Sequence, residues 1–173
     1  MANTYTLIEA KTLGSSAASV AFTSIPSTYT DLMVLLSVRT DVADIYQSGG
    51  MFINSVAADN SYRSLRGNGA SASSGNGSAQ NEWYCGEWNG ATSTASTFTS
   101  SAIYIPNYTS SNQKSFTADT VQEANTTTAI AMMLAGLCTK TAAITSITFR
   151  TFGGGSNNLV TGSTFYLYGI KNS

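Results

Sequence analysis

The sequence contains no histidine, which removes much of the chemistry a small enzyme relies on. Without imidazole there is no Ser–His or Cys–His nucleophile pair, no general base poised near neutral pH, and no supply of the commonest transition-metal ligand. The glycine-rich stretches lack the lysine and following helix of a phosphate-binding loop. Carboxylates remain. Glu82 and Glu87 flank Trp83, Tyr84 and Trp88, and paired acids beside aromatic rings are what glycoside cleavage needs. Five residues apart, they point to opposite faces of a regular strand. Chance proximity therefore explains them better than catalysis, and no catalytic residue is assigned. Asp41, Asp44 and Asp59 offer oxygen ligands at spacings that match no calcium loop. They read as solvated loop acids, and neither a metal nor a cofactor is expected.

Aromatic side chains are the better candidates for contact. Trp83, Tyr84, Trp88 and Tyr108 sit beside polar stretches, and Tyr166 and Tyr168 lie near the chain end. Rings in such places suit a sugar or a protein hot spot. The competing reading puts the tryptophans in the core or at a subunit interface, and it is preferred.

What must position these residues is legible from composition. Charged residues are 10% of the 173, against about 25% in typical soluble domains. Serine, threonine, asparagine and glycine take their place. These are poor helix formers, whereas threonine suits a pleated, half-exposed strand. Hydrophobic content of 42% is enough for a core. The expectation is one all-β domain over residues 1–173, a jelly-roll-like antiparallel β-sandwich of about eight to ten strands. A net charge of −1 provides no electrostatic footprint for nucleic acid or anionic lipid. No apolar run reaches the roughly 20 residues of a membrane helix, and no secretory signal is visible. Low charge also removes a guard against association, so a homo-oligomer is expected. Cys85 and Cys138 match no metal spacing and read as buried thiols, a disulfide remaining open.

Strands are expected at Thr4–Leu13, Val20–Phe22, Leu32–Val38, Met51–Ile53, Tyr62–Leu65, Phe98–Ile105, Lys114–Thr120 and Ile144–Phe152. Thr128–Cys138 reads as a buried strand in spite of its helix formers. Residues 67–81 hold no large apolar side chain and read as an exposed loop. The Trp83–Trp88 segment reads as a hairpin arm closing on Asn89-Gly90. Phe165–Ile170 is apolar on both faces, as a covered central strand would be.

Four segments together resemble a known class. They are Ile25–Leu32, Ile103–Lys114 with its I-x-I-x-N-Y and following lysine, Ile144–Phe149, and Gly162–Ile170 with Leu167-Tyr168-Gly169-Ile170. They are similar to β-sandwich modules of tailed-bacteriophage virions, of the marine and cyanophage type, found in capsid decoration proteins and tail-fibre tips. The resemblance implies a non-enzymatic structural protein on the virion surface, made in the host cytoplasm. It also implies partners among capsid or tail proteins and a trimeric state. With the initiator methionine close to the first strand, a capsid decoration or cement protein is favoured. The alternative is a receptor- or host-glycan-binding fibre tip.

Overall fold

The computed structural model describes residues 4–55, 59–125 and 127–171. The short alternating segments form β1 (Tyr5–Thr12), β2 (Val20–Phe22), β3 (Asp31–Val38), β4 (Tyr46–Ile53), β5 (Asn60–Gly67) and β6 (Ala72–Gln80). They continue as β7 (Trp83–Asn89), β8 (Thr99–Ile105), β9 (Lys114–Gln122), β10 (Ile130–Cys138), β11 (Ile147–Thr151) and β12 (Thr164–Ile170), with one 3-10 turn at Phe152–Gly154. Two antiparallel sheets result. The larger has the order β1-β12-β3-β8-β9-β10-β5-β6 and the smaller β2-β11-β4-β7. The all-β sandwich expected from composition is what forms. Among the described residues the strands number twelve rather than eight to ten, divided eight and four, a division that does not by itself define a jelly roll.

The core lies between the sheets. Alternation puts Leu32, Val34, Leu36 and Val38 of β3, Ile103 and Ile105 of β8, and Phe165 and Leu167 of β12 on the inner face of the large sheet, all buried. Phe22, Met51, Ile53, Ile147 and Phe149 meet them from the small sheet, with the Phe149 and Phe165 rings 5.7 Å apart. Cys85 and Cys138 are both buried and unpaired.

Several local expectations need correction. Residues 72–80 are not loop but strand β6, and only the short turn before it is irregular, tied by the Asn68 carboxamide oxygen accepting from the Ala70 and Ser71 N–H groups at 3.1 and 2.8 Å. Large apolar residues are unnecessary there because β6 is the sheet edge and overhangs the smaller sheet. The ladder to β5 supplies the structure instead. Asn89-Gly90 closes no hairpin, since β7 and β8 belong to different sheets. The chain crosses between layers through residues 90–98. β10 is a strand as expected, but buried on one face only: Met133 is 64% exposed. β12 is bonded on both sides, by β1 and β3, yet its outer face is not covered. Tyr166 and Tyr168 are half-buried there.

Candidate functional site

The aromatic candidates separate by layer. Trp83, Trp88 and Tyr108 are buried in the core at 0–1% exposure, and Tyr84 is buried beside them. Trp83, Trp88 and Tyr108 present no surface to a ligand or to another subunit, whereas Tyr84 borders a small pocket. Burial follows from the overhang: β7 is the last strand of the small sheet, but β8, β9, β10 and β5 of the large sheet pack across it. All seven of its residues are consequently buried. Neither tryptophan N–H finds a partner among the described residues. Tyr108 donates its hydroxyl to the Pro26 carbonyl, pinning the turn before β3. Tyr166 and Tyr168 instead line the outer face of the large sheet, where Tyr5 meets Tyr168 edge-on with centroids 6.5 Å apart.

The two acids weighed for catalysis are not partnered with one another. Glu82 precedes β7. It accepts from the Gly153 N–H at 2.5 Å and from Arg150 Nε at 3.3 Å, so it fastens the 3-10 turn to the sandwich. Glu87 lies on β7 beyond Gly86, whose φ of +113° goes with a bulge opposite Gly49. That irregular register is why the strand rule does not describe the pair. Asp41, Asp44 and Asp59 are likewise scattered. Asp41 accepts from Asn158, Asp44 from the Ile45 N–H, and Asp59 pairs with Lys140 at 2.8 Å. Among the described residues no three acids or thiols are placed to hold a metal.

Glu87 is nonetheless the unusual group. It is 5% exposed and has no ion pair within 4 Å among the described residues. Its Oε1 accepts from the Tyr84 hydroxyl at 2.7 Å and its Oε2 from Ser48 Oγ at 3.2 Å. Burial pushes the carboxyl above the ordinary carboxylate range; the two hydrogen bonds and the Arg66 charge pull the other way without cancelling it. Burial, then the neighbouring Glu87 charge, push the Tyr84 phenol far up, so it stays a donor. Arg66, on β5, lies with its guanidinium carbon 5.1 Å from the Tyr46 ring centroid.

These groups border a pocket of about 260 Å³ between the β5–β6 overhang and the small sheet. Its far wall is β6, whose inward positions Ser73, Gly75 and Gly77 pair with Arg66, Ser64 and Tyr62. Glycine lets β6 approach closely here: a Cβ on Gly77 would lie 2.4 Å from the Tyr62 ring, and one on Gly75 2.9 Å from Ser64 Oγ. Sequence reasoning found Glu87 and Tyr84 but missed Arg66, Ser48 and Tyr62. The available signal was the alternation of glycine in Ser74-Gly75-Asn76-Gly77.

A raised carboxyl pKa has a definite sign for stability. The folded state holds this proton to higher pH than the unfolded chain does. The unfolded chain therefore binds fewer protons between about pH 4.3 and the raised folded value, and stability falls as pH rises through that window. Glu87→Gln removes the penalty. It should raise Tm at pH 7, by about 2–4 °C per kcal/mol recovered, and leave Tm near wild type at pH 4. Thermal melts at the two pH values decide this; a gain of equal size at both would assign the effect to packing.

Fold and site thus define a two-sheet β-sandwich whose larger sheet has an uncovered outer face and which holds a small polar pocket beside Glu87. Compared with family models, with curated proteins and with solved structures, the chain matches none.

Proposed function

We propose that the chain is a non-enzymatic structural protein of a tailed-phage particle, a decoration subunit that associates as a homotrimer through the outer face of its eight-stranded sheet. The observation carrying this reading is that face. One row crossing the whole sheet reads Ala10, Tyr166, Leu35, Ala102, Asp119, Met133, Leu65, Ser74. A single member is charged. Leu65 and Met133, directly opposed, are 63% and 64% exposed, and Val121 and Leu7 are about half exposed. Apolar surface shared between neighbouring strands in this way marks interaction sites in soluble proteins. A stable interface needs roughly 1,200–2,000 Å² in total, and a face of eight strands is broad enough to supply one side of it. Low charge suits the same role, because a charge buried in an interface is costly unless paired. The resemblance of the Leu167–Ile170 ending to phage virion modules supplies the setting.

A subunit that binds only the assembled shell stabilises that shell by mass action. Particles stripped of it should rupture at lower temperature, and immunogold labelling of intact particles should mark the head. Label confined to the tail, or none, would remove the decoration role. The face itself is tested by Met133→Asp and Tyr168→Asp. Both side chains point outward, so the protomer should fold with a melt near wild type, while sedimentation shows loss of the oligomer. An unchanged oligomer in both variants would exclude this face as the contact.

A further inference from the structure

The pocket beside Glu87 is on the opposite side of β5 from the outward face and is built differently. A buried carboxyl without an ion-pair partner is a costly feature, and the core would be simpler without it. On its other side the pocket is bordered by Gly75 of β6, which carries no side chain and packs closely on β5, where a Cβ would lie 2.9 Å from Ser64 Oγ. A buried acid on β7 and a side-chain-free position on β6 thus border a single space.

Its chemistry is specific. Glu87 offers two oxygens, each engaged by one hydroxyl, and an ionised carboxylate has about four lone-pair sites. Arg66 contributes a guanidinium on the facing strand, and Ser48, Ser64 and Ser73 contribute hydroxyls. The apolar wall is the Tyr62–Tyr84 ring pair, with centroids 4.9 Å apart, flanked by Phe152 and Met132. One negative and one positive group line the space, so a ligand with net charge of either sign meets a like charge. By volume, 260 Å³ corresponds to on the order of nine waters, room for one six-membered polyol ring and not for a chain of them. Aromatic wall, acceptor pair and facing donor match a ring whose adjacent hydroxyls donate and accept on one edge and whose C–H groups form a face.

We propose that this pocket binds one neutral sugar ring, with the Glu87 carboxylate accepting from two adjacent hydroxyls, Arg66 donating to a third oxygen, and the Tyr62–Tyr84 wall packing against the ring. The assignment does not depend on the virion reading, which concerns the outward face.

The test uses the full chain and saturation-transfer NMR with glucose, galactose, mannose and N-acetylglucosamine. Glucuronate and glucosamine serve as charged counterparts. At least one neutral sugar should bind with a Kd in the millimolar range, as a single ring with few contacts does, and its charged counterpart at least tenfold more weakly. Two variants localise it. Glu87→Gln should weaken binding tenfold or more. Ser73→Trp, on the exposed edge strand, should fill the pocket and abolish binding while the melt is unchanged, so the localisation does not rest on the Glu87 variant alone. No saturation transfer from any neutral sugar at tens of millimolar overturns the proposal. So does binding that survives Ser73→Trp, or tighter binding of glucuronate than of glucose.

Discussion

Replacing Arg39 by leucine is expected to destabilise the protein by about 3–5 kcal/mol, because several buried carbonyls lose their donor at roughly 1–3 kcal/mol each. Arg39 follows β3 and is 9% exposed. Its guanidinium donates to four carbonyls: Thr94 and Thr97 from Nη1 at 2.8 and 2.9 Å, Ala91 and Ser93 from Nη2 at 3.1 and 3.0 Å. Those carbonyls belong to the 90–98 crossover from the small sheet to the large. Leucine fills similar volume but leaves the oxygens without donors, and each unsatisfied buried acceptor costs roughly 1–3 kcal/mol. The crossover should loosen first, so limited proteolysis should cut within residues 91–97 of the variant and spare the wild type. Denaturant unfolding measures the total. A loss below about 1 kcal/mol, a surface-like value, would mean that water replaces the guanidinium without penalty. Arg39→Lys should recover only part of the loss, because one ammonium cannot span four acceptors.

The second large effect is expected at Gly136. An added Cβ would lie 1.8 Å from Phe116 Cε1, the residue directly opposite it on β9. Phe116 has nowhere to go, since its other neighbour is the buried Trp83 ring at a centroid distance of 4.7 Å. Gly136→Ala should therefore cost about 3 kcal/mol, at the upper end for overpacking, and lower Tm by about 6–12 °C in a chain of this length. Adding Phe116→Leu relieves the collision. The double variant should then be more stable than the sum of the two single changes implies, an interaction term of about 0.5–3 kcal/mol for residues in contact. Strict additivity would show that the ring does not occupy the glycine's space.

The same pair explains why Thr128–Cys138 is hard to read. Its alanines, methionines and leucines favour helix, and its glycine argues against one. Opposite Phe116, that glycine is a packing requirement of a strand pair. The lysine of the Ile103–Lys114 segment has a comparable explanation. Lys114 is buried, donating to the carbonyls of Ser110, Asn112 and Thr141, so this segment closes a loop and carries no site chemistry. Burial lowers its pKa.

By itself the sequence determined the all-β class and most of the strands. These depend on local backbone preference and on a period of two, both written in neighbouring residues. It also singled out Glu87 and Tyr84, though beside Glu82, which the structure bonds instead to Gly153 and Arg150. Only the tertiary structure decided that residues 72–80 form a strand, because their hydrogen bonds come from β5 and not from anything local. It alone decided that Trp83 and Trp88 are interior, through the overhang of the larger sheet, and that Met133, Leu65 and Tyr166 share an open face. Arg66, Ser48 and Ser73 meet Glu87 from three other strands. Contacts between residues far apart in the chain are set by sheet order and layer packing, which a linear pattern of residue types does not encode.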